Sequence, residues 1–303
     1  MIQWFPGHMN KAKYAIKELV ADIDIVLEVL DARAPFSSCN PLLQNIIQHK
    51  KKIRLLNKSD LADPEITQLW MDFFLAKQDS KCILGNKNDL GQCNKIIRQC
   101  KLLAPNRNSY EKPLRVMITG IPNVGKSTLI NQLIGKKSAK TGDIPAVTRA
   151  NQCLVLNDAF LIYDTPGMMW QKIKYMEIGT HLALCNSIGR NAYDDELLAL
   201  HLIGYLLMAY PNLLCARYRL SAEDLEQKSD EILLQIGRKR GALQTGGIVD
   251  RQKASEIIVT DFRMGSLGKI SLETPIMWQN WIEKVIEEEA LINNDESDVG
   301  TNR

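Results

Sequence analysis

Two hydrophobic periods alternate along the first half of the chain. Ile23-Asp-Ile-Val-Leu-Glu-Val-Leu is a β-branched run that ends at Asp31 and predicts a buried strand. Ile53-Arg-Leu-Leu ends in Asn57, Cys82-Ile-Leu ends at Gly85, and Leu114-Arg-Val-Met-Ile-Thr runs straight into Gly120. Two further strand-length runs, Gln152 to Leu156 and Phe160 to Tyr163, flank Asn157-Asp158, a short hairpin turn. Helical spacing fills the intervals at Ala12 to Val20, Pro41 to His49, Pro64 to Lys77, Lys95 to Leu103 and Lys126 to Ile134. Alternating strands and helices predict an α/β class: a mostly parallel sheet with helices on both faces, plus one antiparallel edge strand. After about Lys174 the strand signals fade. Helical patterns at Leu197 to Leu207, Glu223 to Gly237 and Gln252 to Met264 predict a small, mostly α-helical C-terminal domain. The pattern divides the chain into residues 1–180, residues 181–292, and a polar, acidic tail 293–303 expected to be disordered.

Composition changes this picture little. The chain has 303 residues, 45% apolar and 24% charged, as in soluble globular proteins. Its net charge of +3 demands no nucleic-acid partner but leaves room for local basic patches. Seven cysteines without a C-x-x-C pair argue against a zinc site or a disulfide framework. The apolar stretch from Leu197 to Tyr210, broken by His201 and Gly204, is shorter than the ~20 residues of a membrane span and reads as a core helix. With no secretory or transit leader at the N-terminus, a cytoplasmic protein is expected.

The chemistry begins at Gly120-Ile-Pro-Asn-Val-Gly125-Lys126-Ser127, which fits G-x-x-x-x-G-K-[ST] between a strand and a helix. In such a loop, backbone N–H groups from Asn123, Val124, Gly125 and onward to Thr128 cradle phosphates. Lys126 is expected on the β- and γ-phosphates and the Ser127 hydroxyl on magnesium, with the helix dipole adding positive potential.

Base choice needs a second motif. An N-K-x-D string ending a strand offers a carboxylate to the ring N–H and exocyclic amine of guanine, a pairing adenine cannot make. Two strings qualify: Asn57-Lys58-Ser59-Asp60 and Asn86-Lys87-Asn88-Asp89. The first is preferred because a longer strand precedes it and a clean helix follows. Gly85 and Asn86 then fall where a loop would touch the guanine oxygen through backbone N–H. Asp164-Thr165-Pro166-Gly167 follows a strand and fits a D-x-x-G switch. Asp164 is expected to hold magnesium through water, and the Gly167 N–H to sense a γ-phosphate. Thr148, in Asp143-Ile-Pro-Ala-Val-Thr-Arg, is the candidate threonine that closes on magnesium.

The order NKSD, GIPNVGKS, DTPG is reversed relative to Ras-like GTPases. With the opening Trp4-Phe-Pro-Gly-His8-Met-Asn-Lys-Ala, and with Gly246-Gly-Ile-Val-Asp250 and Asp261-Phe-Arg-Met-Gly-Ser-Leu-Gly downstream, the chain closely resembles the YlqF/RbgA family of circularly permuted GTPases. Ala146 departs from the glycine of that pattern. The resemblance implies a circularly permuted P-loop GTPase domain followed by a helical domain that binds RNA. It implies a GTP- and GDP-binding assembly factor for the large ribosomal subunit, monomeric away from the ribosome and without a membrane. Magnesium is the expected cofactor. Asn123 matches an asparagine that helps hold potassium in related enzymes. Met168 replaces the water-orienting glutamine, which implies slow intrinsic turnover. His8 is then the family's catalytic helper, its alternative being a structural or RNA-contacting histidine. Arg238, Lys239, Arg240, Arg251, Lys253 and Arg263 are the expected RNA contacts. The rival readings are a P-loop ATPase or kinase, a nucleotide-gated binding protein with little hydrolysis, and a GTPase acting on another RNA.

Overall fold

The computed structural model describes residues 9–76, 80–89, 91–107, 109–135, 152–157, 159–169, 173 and 175–283. Six strands form one sheet: β1 (Ile25–Asp31), β2 (Lys51–Asn57), β3 (Ser80–Leu84), β4 (Leu114–Thr119), β5 (Gln152–Asn157) and β6 (Phe160–Asp164). Their spatial order is β3-β2-β1-β4-β6-β5, parallel throughout except for β5, which pairs antiparallel with β6 at the edge. Every residue of β1 is buried, as a central strand covered on both faces requires. Because β1, β2, β4 and β6 run the same way, Asp31, Asn57, Thr119 and Asp164 all lie at one end of the sheet. That end, beyond the carboxyl termini of the strands, is where open α/β sheets bind ligands.

Helices α1 (Met9–Val20), α2 (Pro41–Ile47), α3 (Pro64–Leu75), α4 (Gln92–Leu103) and α5 (Lys126–Ile134) connect or flank these strands. Asn40 caps α2 by accepting from the N–H groups of Leu42 and Leu43, and Asp63 caps α3 in the same way. The helical part comprises α6 (Met176–Leu184), α7 (Asp195–Ala209), α8 (Pro211–Tyr218), α9 (Ser229–Lys239) and α10 (Arg251–Met264). Its core, built on Leu202, Leu206, Ile232, Ile236, Ile258 and Phe262, is distinct from the core of the sheet.

The expected helix from Glu223 to Gly237 is not continuous. A 3-10 turn spans Asp224–Glu226, Gln227 and Lys228 are extended, and α9 begins at Ser229. Ser221 and Asp224 exchange side-chain to backbone hydrogen bonds, and Gln235 bonds both Asp224 and Gln227. Those local bonds compete with the helix ladder and stop it. Helix α6 carries no one-sided pattern. Buried residues line α6 from Gly179 to Leu184, so the sequence shows no polar face to mark it.

Residues after α10 return to the sheet. The Ile270 N–H donates to the Leu61 carbonyl at 3.0 Å and the Leu272 N–H to the Arg33 carbonyl at 2.7 Å. The Glu273 carboxylate is fully buried and accepts from the Ser37 hydroxyl at 2.8 Å and from the N–H groups of Phe36 and Ser37. Trp70 donates from its indole to the Glu273 carbonyl at 2.9 Å, and Trp278 stacks on Phe36. The C-terminal segment is thereby hydrogen-bonded to the loops that follow β1 and β2, at the functional end of the sheet.

Candidate nucleotide site

The phosphate loop leaves β4 at Gly120, whose φ of +150° brings it against the Val29 carbonyl of β1. A Cβ there would lie 2.4 Å from that oxygen, so only glycine fits. Asn123 and Gly125 take left-handed conformations, and α5 starts at Lys126. Lys126 is buried and its Nζ donates to the Ile121 carbonyl at 2.8 Å. Burial pulls its pKa down to about 8, with nearby Asp164 acting the other way. A desolvated cation held by a neutral carbonyl is poised for an anion. Ser127 and Thr128 are exposed at the N-terminus of α5, where the helix dipole favours negative charge.

The loop after β2 is fastened to the phosphate loop. Asn57 donates from Nδ2 to the Val124 carbonyl at 2.7 Å, and a Cβ on Gly125 would sit 2.3 Å from that nitrogen. Lys58 adopts a φ of +59°, and its Nζ reaches Asp31 at 2.7 Å. Ser59 binds the Gly85 carbonyl through both N–H and hydroxyl, which seats the loop after β3 beside it. The Asn86 N–H in that loop donates to the Gln92 side chain at 2.9 Å. A cavity of about 260 Å³ opens between these loops, lined by Asn57, Lys58, Asp60, Gly125 and Thr128. Asp89, from the second N-K-x-D string, is turned to other work. It accepts from the Gly91 N–H and pairs with Lys95 at 3.0 Å.

At the far side of the phosphate loop, Asp164 ends β6. Burial raises its pKa, and Lys126 partly offsets that. Thr165 anchors the switch by donating from N–H and hydroxyl to the Ile118 carbonyl. Gly167 lies so near the phosphate loop that a Cβ would meet Pro122 N at 3.0 Å and Lys126 Nζ at 3.1 Å. One end of the sheet thus holds a buried lysine, a hydroxyl at a helix N-terminus, the Asp164 carboxyl with its pKa raised by burial, and the Asp60 carboxyl beside a cavity. Chain order puts the base loop before the phosphate loop.

A family model for 50S ribosome-binding GTPase matches residues 115–206, which take in β4, the phosphate loop and the switch. Ribosome biogenesis GTPase A of Bacillus cereus is 38% identical over 295 residues, covering 94% of this chain and 98% of its own length. The chain belongs to the ribosome biogenesis GTPase A family. The Thermotoga maritima member is 32% identical over 276 residues, covering 90% of this chain and 95% of its own. A GNP-bound crystal structure of YlqF from T. maritima superposes with a TM-score of 0.63 at 29% identity, over 88% of this chain and 98% of that one. A GDP-bound YlqF structure gives 0.64 at 28% identity, over 86% and 98%.

As a GTPase of this family, the chain carries a nucleotide site of a kind that typically uses magnesium. The residues present fit that ion: Ser127 is exposed at the N-terminus of α5, and Asp164, whose pKa burial raises, ends β6 near Lys126. His8 and Thr148 lie outside the described residues. Asn123 donates from Nδ2 to the Asn186 carbonyl at 2.6 Å.

The six expected RNA contacts do not form one set. Arg238, Lys239, Arg240 and Lys253 are exposed. Lys239 donates to the Arg219 carbonyl, Arg240 pairs with Asp261 at 3.3 Å, and Arg251 pairs with Glu196 and Asp230. Arg263 is held by the carbonyls of Ala183 and Leu184 and lines the cavity beside Asp60.

Sequence reasoning passed over Asp31 and Arg33. Asp31 is fully buried and accepts from the Arg33 backbone N–H, from Arg33 Nε at 3.0 Å and Nη2 at 2.9 Å, and from Lys58. Burial alone would raise its pKa, but Arg33 and Lys58 together hold it well below the usual carboxylate range. The available signal was position: Asp31 ends a central parallel strand, and such ends face the ligand.

If Asp60 reads the base, Asp60→Asn loses GTP affinity by about 10²-fold and gains affinity for XTP, because the new amide can donate to the exocyclic carbonyl that replaces the guanine amine in xanthine. Competition binding with GTP, XTP and ATP measures this. Unchanged GTP affinity would assign base recognition to another group.

Proposed function

We propose that this GTPase assists assembly of the large ribosomal subunit and that its nucleotide state sets its affinity for the particle. The carrying observation is that phosphate loop, base loop and switch converge at one sheet end, and that the C-terminal segment is hydrogen-bonded to the base-loop side of that end at Arg33 and Leu61. The relatives' names support the ribosome as the target. In this reading residues 1–180 form the GTPase domain and residues 181–292 the RNA-binding domain, with Arg238, Lys239, Arg240 and Lys253 among its exposed cations. Binding to rRNA through phosphate contacts makes the association salt-sensitive.

Lys126 and the N–H groups from Asn123 to Thr128 bind the phosphates, with Gly167 sensing the γ-phosphate. Ser127, Thr148 and Asp164 hold magnesium, which supplies charge neutralisation when bound. Met168 is 2% exposed and packs with Ile16, Val20 and Tyr163, so it offers no group to orient water. Intrinsic hydrolysis is therefore slow, and His8 completes the site on the ribosome. The Asn123 oxygen contributes to a potassium site that offsets developing negative charge.

The test is GTP hydrolysis in potassium buffer, alone and with purified large or small subunits. The large subunit is expected to raise the rate at least about tenfold, and sodium in place of potassium to remove most of that gain. Equal rates with either subunit would reject the large subunit as the target.

A further inference from the structure

The cavity beside Asp60 has a wall that no nucleotide motif supplies. Arg263 and Met264, the last residues of α10, line it together with Asn57, Lys58, Asp60 and Gly125. They belong to the helical part, about 200 residues after the base loop in sequence. Their approach is built in. Gly265 ends α10 with a φ of +74°, and a Cβ there would lie 2.7 Å from Leu61 Cδ2, in the residue that follows Asp60. The Ile270 N–H then bonds the Leu61 carbonyl. Helix end and base loop are in contact on both sides of this turn.

The two wall residues have different roles. Arg263 is engaged at the C-terminal end of α6, with Nη2 also donating to the Tyr193 hydroxyl at 2.9 Å. A cation there satisfies open carbonyls and complements the helix dipole. Met264 is 72% exposed and has no such role. Lys58 also lines the cavity, and Asp31 holds its ammonium at 2.7 Å, which leaves the apolar stem of Lys58 to border that space. A purine has two flat apolar faces that must leave water on both sides. A methionine suits one of them, because its thioether is flexible, polarizable and favourable against an aromatic ring.

We propose that Met264 is part of the guanine site and packs on the base, so that the helical domain binds nucleotide directly. The contact needs no γ-phosphate. GDP and GTP therefore both hold the end of α10 in place, while the switch glycine adds a second link in the GTP state alone. This rests on the guanine-site reading of Asn57 to Asp60.

The experiment compares the full-length protein with Met264→Ala and Met264→Leu. Competition binding uses GDP, GTP, ADP and inorganic tripolyphosphate, all with magnesium. Met264→Ala is expected to weaken GDP and GTP alike by about fivefold, from the lost apolar contact, and to leave tripolyphosphate unchanged. Met264→Leu restores most of the affinity. Hydrogen exchange at the end of α10 slows in the wild type with GDP and not with tripolyphosphate. Unaltered GDP affinity in Met264→Ala, or an equal loss for tripolyphosphate, overturns the assignment. A wild type that binds ADP as tightly as GDP would instead overturn the guanine-site reading beneath it.

Discussion

Lys126→Ala should reduce GTP hydrolysis by about 10²- to 10³-fold, the scale of removing one preorganised charge from a phosphoryl-transfer site. The reason lies in how the side chain is held. Lys126 is 8% exposed, its bond to the Ile121 carbonyl is to a neutral group, and burial pulls its pKa down to about 8. The fold keeps a cation dry and incompletely satisfied at the entrance of α5. Such an arrangement costs the empty protein stability and is relieved when phosphate oxygens arrive. Alanine removes the penalty along with the function. The variant should therefore melt no lower than the wild type without nucleotide, and gain much less on adding GDP. Thermal unfolding with and without GDP, alongside single-turnover hydrolysis, measures both. A variant that melts markedly lower without nucleotide would mean that the lysine stabilises the fold instead.

Asp31→Ala should have the largest effect on stability, about 3–5 kcal/mol, as expected when one partner of a buried ion pair is removed. Arg33 is 2% exposed and Asp31 is fully buried. Without the carboxylate, the Arg33 guanidinium would keep its place over the Phe262 ring but lose both of its side-chain acceptors. Lys58 would lose its anchor at the same time, so nucleotide affinity falls as well. The wild type holds the Asp31 carboxyl below its ordinary value of 3.8. Its contribution is therefore complete above that pH and is lost as pH falls below it. The gap between wild type and variant should accordingly be constant at neutral pH and narrow only in strong acid. Denaturant unfolding followed by tryptophan fluorescence reads this, with Trp70 and Trp278 both buried nearby. A gap under about 1 kcal/mol would show that water replaces the carboxylate.

Much of the GTPase half was legible because its signals are local. The predicted strand Leu114 to Thr119 and helix Lys126 to Ile134 match β4 and α5, since a β-branched run, a glycine turn and a helix start are each decided within a few residues. The edge strand β5 follows from the short Asn157-Asp158 link, which can join only antiparallel strands. Helix α6 was not legible, because residues buried on every side show no period. The interruption before α9 was missed because Ser221, Asp224 and Gln235 are ordinary polar residues until their side chains find the backbone and one another.

By itself, the sequence determined the α/β class and the permuted order of the phosphate, base and switch motifs. Each of those depends on backbone conformation and side-chain chemistry within a short stretch. Only the tertiary structure decided what holds them. Lys58 meets Asp31 across 27 residues of chain, Asn57 meets Val124 across 67, and Glu273 meets Ser37 across 236. Nothing local favours those pairs. They exist because the fold brings the strand ends and their loops together, and because a buried charge or amide left without a partner is costly. The same holds for Met264, an unremarkable helix residue until Gly265 lets its turn close on Leu61.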